Sequence, residues 1–154
     1  MLVAACGSGT AEPGLSGGGA SLEGLAGHYL DAVRYADTAA MHALRVTRNE
    51  HNQLMWPHFP IARPELNWSV DFAWDNLERR SRRDALRIAL DYGEKPWQLL
   101  GIACSKGVDD YGPFRIHGDC WLDVRLDGPT VRLKMFGSVV EMHGRYKIVG
   151  ILAD

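Results

Sequence analysis

The chain lacks a charge bias and lacks any long apolar run. Nineteen acidic residues nearly cancel seventeen lysines and arginines, leaving a formal charge of −2. Overall charge therefore selects neither nucleic acid nor an anionic surface as partner. No apolar stretch approaches the roughly 20 residues that a membrane-crossing helix needs. Motifs for chemistry are missing as well. The six histidines, at 28, 42, 51, 58, 117 and 143, show no His-x-His, His-Glu-x-x-His or paired-Cys spacing, so no metal site is expected. There is no Gly-x-Ser-x-Gly elbow, phosphate loop or dinucleotide fingerprint, so no cofactor is expected either. Cysteine is scarce, with Cys6, Cys104 and Cys120 making up the whole set.

What is present is one domain's worth of core-forming sequence. The 154 residues are 46% hydrophobic, enough for a sizeable interior. Glycine is abundant, but much of it falls in the first 27 positions and belongs to a tail. The stretch from Phe114 to Leu152 reads as a three-stranded antiparallel meander. Ile116, Gly118, Cys120, Leu122, Val124 and Leu126 alternate with polar residues, so one face is buried. Asp127-Gly128-Pro129-Thr130 turns the chain into Val131–Met142, and His143-Gly144-Arg145 turns it into Tyr146–Leu152. Trp97–Cys104 is a further strand ahead of the meander, with Asp109–Pro113 as the turn between them. Gly137 is a natural bulge or bend point in the long strand.

Helices precede the strands. Ser21 is an N-cap, and Leu22, Leu25, Ala26, Tyr29, Val33 and Ala36 form one apolar stripe. Asp37 caps a second helix expected to reach Val46. Thr47-Arg48-Asn49-Glu50 has capping-box spacing, predicting a helical stretch to about Met55. Trp56-Pro57 ends it, and Pro57, Pro60 and Pro64 impose an irregular passage. Ser69 caps the longest helix, with Val70, Trp74, Leu77, Ser81, Ala85, Ile88 and Tyr92 inward and Gly93 as the stop. The run Arg79-Arg80-Ser81-Arg82-Arg83 reads as a solvated face with local ion pairs, or as a contact to phospholipid headgroups or an acidic partner.

Cys104 and Cys120 lie symmetrically about residue 112, inside the expected turn, so a hairpin sets them opposite each other with both thiols on one side. They are expected to form a disulfide, the alternative being two small buried hydrophobes.

Two resemblances add to these patterns. Val3-Ala4-Ala5-Cys6 resembles the lipobox of bacterial lipoproteins, in which the Cys is lipidated, and the Gly/Ser/Ala-rich sequence after it resembles their flexible tether. Residues 1–21 then read as a truncated lipoprotein signal plus tether, and 22–154 as one α+β domain. That resemblance implies a membrane anchor at Cys6 and an extracytoplasmic location, in the periplasm or at the cell surface. The order helix, helix, irregular segment, long helix, four strands resembles the nuclear-transport-factor-2-like superfamily of cystatin-like α+β cones. The ending Glu141-Met142-His143-Gly144-Arg145-Tyr146-Lys147-Ile148-Val149 is similar to the hairpin that closes many of these domains. Within the superfamily the chain looks most like small bacterial lipoproteins carrying a Trp-Pro after the second helix, here Trp56-Pro57.

The resemblance implies a curved sheet around helices, with an apolar pocket at the open end. Tyr29, Trp56, Asp71, Trp74 and Trp121 are the candidate pocket residues. His28, His117, Asp119 and Asp123 are weighed as polar groups near it. No residue maps onto an enzyme motif of the superfamily, so no catalytic residue is assigned. Three functions compete. The first is non-catalytic binding of a small apolar ligand or a partner protein. The second is a small isomerase, dehydratase or hydrolase with an Asp or His base in the pocket. The third is a homodimerising module that uses the open sheet face around Trp121.

Overall fold

The computed structural model describes residues 11–154, and it is an α+β structure of helices packed on two antiparallel sheets. Helix α1 spans Leu22–Arg34, α2 spans Thr38–Ala43 and α3 spans Val70–Tyr92. The strands are β1 Gln98–Cys104, β2 Val108–Asp110, β3 Arg115–His117, β4 Cys120–Arg125, β5 Val131–Leu133, β6 Val139–Met142 and β7 Arg145–Ile148. One sheet has the order β1-β4-β5 and the other β2-β3-β6-β7. No helix of the described residues is long and apolar enough to cross a membrane.

The helix starts are set by their caps. Ser21 Oγ accepts from Gly24 N at 2.9 Å, and Ser69 Oγ accepts from Phe72 N at 3.2 Å. Each satisfies an amide that the first helical turn leaves without a partner. Helix α2 ends at Ala43 rather than reaching Val46, because the chain beyond it pairs with β7. Val46 N donates to Ile148 O, and Ile148 N donates to Leu44 O. Gly19 pairs with Tyr146 on the same strand, so two segments close what would be an open sheet edge. The capping box at Thr47 forms reciprocally: Thr47 N donates to Glu50 Oε2 and Glu50 N to Thr47 Oγ1. From there the chain makes a π-helical turn, Glu50–Met55, and then three short 3₁₀ turns through the proline-rich passage.

The expected long strands are each broken in two. Alternating burial is confined to Cys120–Arg125, residues 116–119 all being half-buried, and Asp119 adopts a left-handed φ of 55° that splits β3 from β4. Asp is among the few residues that tolerate this conformation. Between β5 and β6 the ladder lapses near Gly137, whose N–H donates to Gly150 O while its carbonyl accepts from Cys120 N. Asp109 and Asp110, expected in a turn, lie in β2, and the reversal falls at Tyr111–Phe114. The last strand stops at Ile148, and residues 149–150 cross to meet 137–138.

Cys104 stands directly opposite Cys120 in the β1–β4 ladder, and their sulfurs are bonded. A closed loop with a sequence separation of 16 stabilises by about 3 kcal/mol in the chain-entropy account.

The core has two parts. Leu25, Tyr29 and Val33 of α1 pack with Ile88, Leu122, Phe136 and Val139. Val46, Met55, Trp74, Phe114, Val140 and Met142 form a second cluster. Val139 and Val140 point into different clusters, as neighbours in a strand must. Strand β6 is thus covered on both faces, while β2 at the sheet edge is exposed along its length.

Candidate functional site

The five residues expected to line a pocket do not converge. Tyr29 is fully buried in the α1 core, its hydroxyl donating to Met135 O at 2.9 Å and its ring edge-on to Phe136 at 5.1 Å. Burial pushes its phenol well above the ordinary range; the nearby Arg45 charge opposes this and Asp84 adds to it. Trp74 is buried in the second cluster. Trp56 is half-buried nearby, and the His51 ring sits between them, 5.9 Å from Trp56 and 5.4 Å from Trp74. Asp71 lies on the surface and pairs with Arg48 at 2.8 Å. Trp121 is on the outer face of the β1-β4-β5 sheet, with Lys134 Nζ 4.9 Å from its ring centre and its indole N–H donating to Asp119. Cys6 lies outside the described residues, and His28 is exposed on α1.

That outer face is held by ion pairs. Arg132 grips Asp123 with two hydrogen bonds, at 2.7 and 2.9 Å. Asp119 accepts from Lys134, Ser105 and Trp121, which hold its carboxyl far below the usual range. A carboxylate so engaged is a poor proton acceptor at neutral pH. Charge interrupts the apolar continuity that dimerisation through Trp121 needs. His117 and Glu141, 2.7 Å apart, form a further polar pair with Arg115 on β3 and β6.

Two polar groups sit deep in the fold, and although Glu50 belongs to the capping box, no local motif points to the burial of either. Glu50 and Lys147 pair at 2.8 Å with both side chains buried. Arg45, only 3% exposed, donates to Glu78 Oε2 at 2.7 Å, and its guanidinium carbon lies 5.7 Å from the Trp74 ring centre. Its Nε and Nη2 have no hydrogen-bond partner among the described residues, so the aromatic ring supplies much of what water would otherwise give. Burial holds the His51 imidazole below its ordinary pKa, with Arg45 reinforcing this against the hydrogen bond that its Nδ1–H donates to Asn52 Oδ1. Neutral His51 therefore adds no second positive charge beside Arg45.

The geometry places a cleft elsewhere, where α3 meets the seam between the sheets. Two buried polar side chains of α3 pin the C-terminal segment there. Ser81 Oγ accepts from Ile151 N at 3.1 Å, and Asp84 Oδ2 accepts from Ala153 N at 3.4 Å. Between these pins and residues 137–138 lies a cleft of about 190 Å³. Leu77, Val149, Ile151 and Leu152 give it apolar walls, and Arg80, Ser81 and Ser138 contribute polar groups. Gly137, Ser138 and Leu152 also border a second hollow of about 420 Å³, which Lys106 and Lys134 help line. Gly150 lets the C-terminal segment pass close against α3. A Cβ on Gly150 would meet Leu77 at 2.8 Å, whereas one on Gly137 would meet only Gly150 O, at 3.8 Å. The helical period marks Leu77 and Ser81 as inward, but nothing local in the sequence shows that residues 149–152 stand off from them. No family model, no curated protein and no solved structure matches the chain.

Proposed function

We propose that this chain is a lipid-anchored extracytoplasmic domain of the cone type that binds a small apolar ligand without transforming it, at the cleft between α3 and residues 137–138 and 149–152. The observation that carries the reading is the lining: four aliphatic side chains surround a space with only a few polar groups at hand, the usual make-up of a small-molecule site. Tyr29 and Trp74 are taken up by core packing, which leaves the cleft as the better place for a ligand. At about 190 Å³ it is smaller than most drug-sized pockets, so a narrow ligand, or one segment of a longer one running on past Gly137, fits best. The cone reading draws on the helix order and on the strand breaks at Asp119 and near Gly137, which are natural places for a sheet to curve.

The ligand reading is tested with dodecanoate, measured by displacement of a fluorescent apolar probe. Gly137→Leu fills the cleft from a position with room for a side chain. It is expected to weaken binding about tenfold or more while the fold survives, since the ligand then has no cavity to enter. Undiminished binding by a folded Gly137→Leu protein would place the ligand elsewhere. The anchor is tested separately. Expressed with a complete export signal in a bacterium, the chain is expected to incorporate labelled palmitate. A Cys6→Ser variant that labels equally well would rule the anchor out.

A further inference from the structure

The outer side of α3 carries a composition that ligand binding in the cleft does not account for. From residue 79 to residue 90, every exposed side chain is either arginine or leucine: Arg79, Arg80, Arg82, Arg83 and Arg87, with Leu86 and Leu90. Leu86 is 58% exposed and Leu90 83%. Phe72, one stretch earlier on the same helix, is 59% exposed and lies near the equally open Trp68, ring centres 6.2 Å apart. Phe72, Arg79, Arg83, Leu86 and Leu90 succeed one another at intervals of seven, four, three and four residues, so they form a single stripe. At 1.5 Å per residue that stripe is about 27 Å long.

The carboxylates beside the arginines offset them only in part. Glu78 pairs with Arg82 at 2.7 Å but is shared with buried Arg45, and Asp84 pairs with Arg83 at 2.8 Å from beneath the surface. Arg79 donates to Asn76, an uncharged group. Asp71 and Asp75, exposed nearer the start of the helix, face Arg48, and Asp91 is exposed just past Leu90, so the cationic part of the face is the stretch from Arg79 to Arg87.

We infer that this face of α3 is a docking surface for an anionic phospholipid bilayer. Leucine and phenylalanine side chains spaced among arginines along one helix match a surface that offers phosphates and acyl chains side by side over any area; of these, Leu86 and Arg82 also edge a hollow against Thr38, Ala39 and His42 of α2. An arginine can pair with a lipid phosphate while its aliphatic stem lies along apolar material. Leu86, Leu90 and Phe72 then enter the headgroup boundary, as apolar residues of interfacial helices do. An acidic protein would satisfy the arginines but would need its own matching apolar positions along the same stripe. Arg80 borders the cleft as well, but the stripe of Phe72, Arg79, Arg83, Leu86 and Leu90 lines none of it, and this surface requires no acyl chain on Cys6.

Co-sedimentation of the full chain tests it, with Cys6→Ser in every arm so that no lipid modification contributes. Vesicles of phosphatidylcholine alone are compared with vesicles of phosphatidylcholine and phosphatidylglycerol. Binding is expected to the mixed vesicles, only weakly to the neutral ones, and to fall as salt rises. Arg79→Glu/Arg87→Glu leaves the Glu78 and Asp84 pairs intact and is expected to reduce binding by about tenfold or more. Leu90→Ser, which removes an almost fully exposed side chain, is expected to weaken binding several-fold at the same charge. Equal binding to both vesicle types, or charge-reversed protein that binds as well as the parent, overturns the inference. Tight binding to polyglutamate that Leu90→Ser leaves unchanged, with none to the mixed vesicles, overturns it in favour of an acidic protein partner.

Discussion

Trp74→Ala is expected to destabilise the protein by about 3–5 kcal/mol, the usual cost of deleting a buried large aromatic. That corresponds to a drop in melting temperature on the order of 10 °C for a chain of this size. The indole is 7% exposed and packs in the cluster with Val46, Met55, Phe114, Val140 and Met142. It also borders Arg45, whose guanidinium has two nitrogens without hydrogen-bond partners among the described residues. Removing the ring creates a cavity and strips a buried cation of its aromatic neighbour, and the two costs fall together. Trp56→Ala, on the half-buried side of His51, is expected to cost clearly less. Urea or thermal melts of both variants check this. A Trp74→Ala protein melting like the parent would mean that the ring does not fill the core.

Glu50→Ala is expected to cost a similar amount, about 3–5 kcal/mol, by breaking a buried ion pair from one side. The Glu50 carboxylate collects four hydrogen bonds. Oε1 accepts from Ser16 N at 2.8 Å and Ser16 Oγ at 3.2 Å, and Oε2 from Thr47 N and Lys147 Nζ, both at 2.8 Å. It therefore ties the N-terminal segment, the chain after α2 and β7 to a single point. Alanine leaves the Lys147 ammonium, 2% exposed, without a counterion. Replacing both residues, Glu50→Leu with Lys147→Met, is expected to recover much of the loss, since no unpaired charge then stays inside. The pair also imposes a pH dependence. Burial pushes the Glu50 carboxyl up, but the hydrogen bond from Lys147, the amides of Ser16 and Thr47 and the Lys147 charge outweigh it and hold it below its ordinary 4.5. A group with its folded pKa lowered stabilises above its unfolded pKa, and that share is lost as pH falls through the folded value. Stability of the parent should therefore drop below about pH 4.5, and the double variant should lose this part of the slope. A Glu50→Ala protein with parental stability would contradict the pairing.

The helices were legible because their signals are local. Ser21, Ser69 and Gly93 mark ends through side-chain or backbone chemistry within a few residues, and the 3.6-residue period marks the buried stripe. The disulfide was legible for a related reason, since a hairpin turns register into a count along the chain. The strand breaks were not. The alternating sequence continues through Asp119 although the ladder does not, and Ile116 packs against the second core cluster while Cys120, Leu122 and Val124 pack in the first. The end of α2 was hidden because Arg45 and Val46 suit a helix as well as they suit a bridge to β7. The Glu50–Lys147 pair spans 97 positions, and Lys147 between Tyr146 and Ile148 reads as an ordinary outward lysine. Glu50 was visible as a capping residue, but the bond that the same oxygen accepts from Lys147 was not. The cleft escaped for the same reason. Leu77, Val149, Ile151 and Leu152 are apolar like any core residue, and only the tertiary crossing of 149–150 over 137–138 separates them enough to leave a space.

With Tyr29, Phe136 and Trp74 packed in the core, the site proposed for the ligand is the α3 seam. The most direct test follows the backbone amides of the isotope-labelled chain by NMR during a dodecanoate titration. Shifts are expected to concentrate at Leu77–Ser81, Gly137–Ser138 and Val149–Leu152, while Tyr29, Met41 and Val124 stay in place. Shifts centred on Tyr29, Phe136 and Trp74 would mean that the interior opens to ligand, and would contradict binding at the seam.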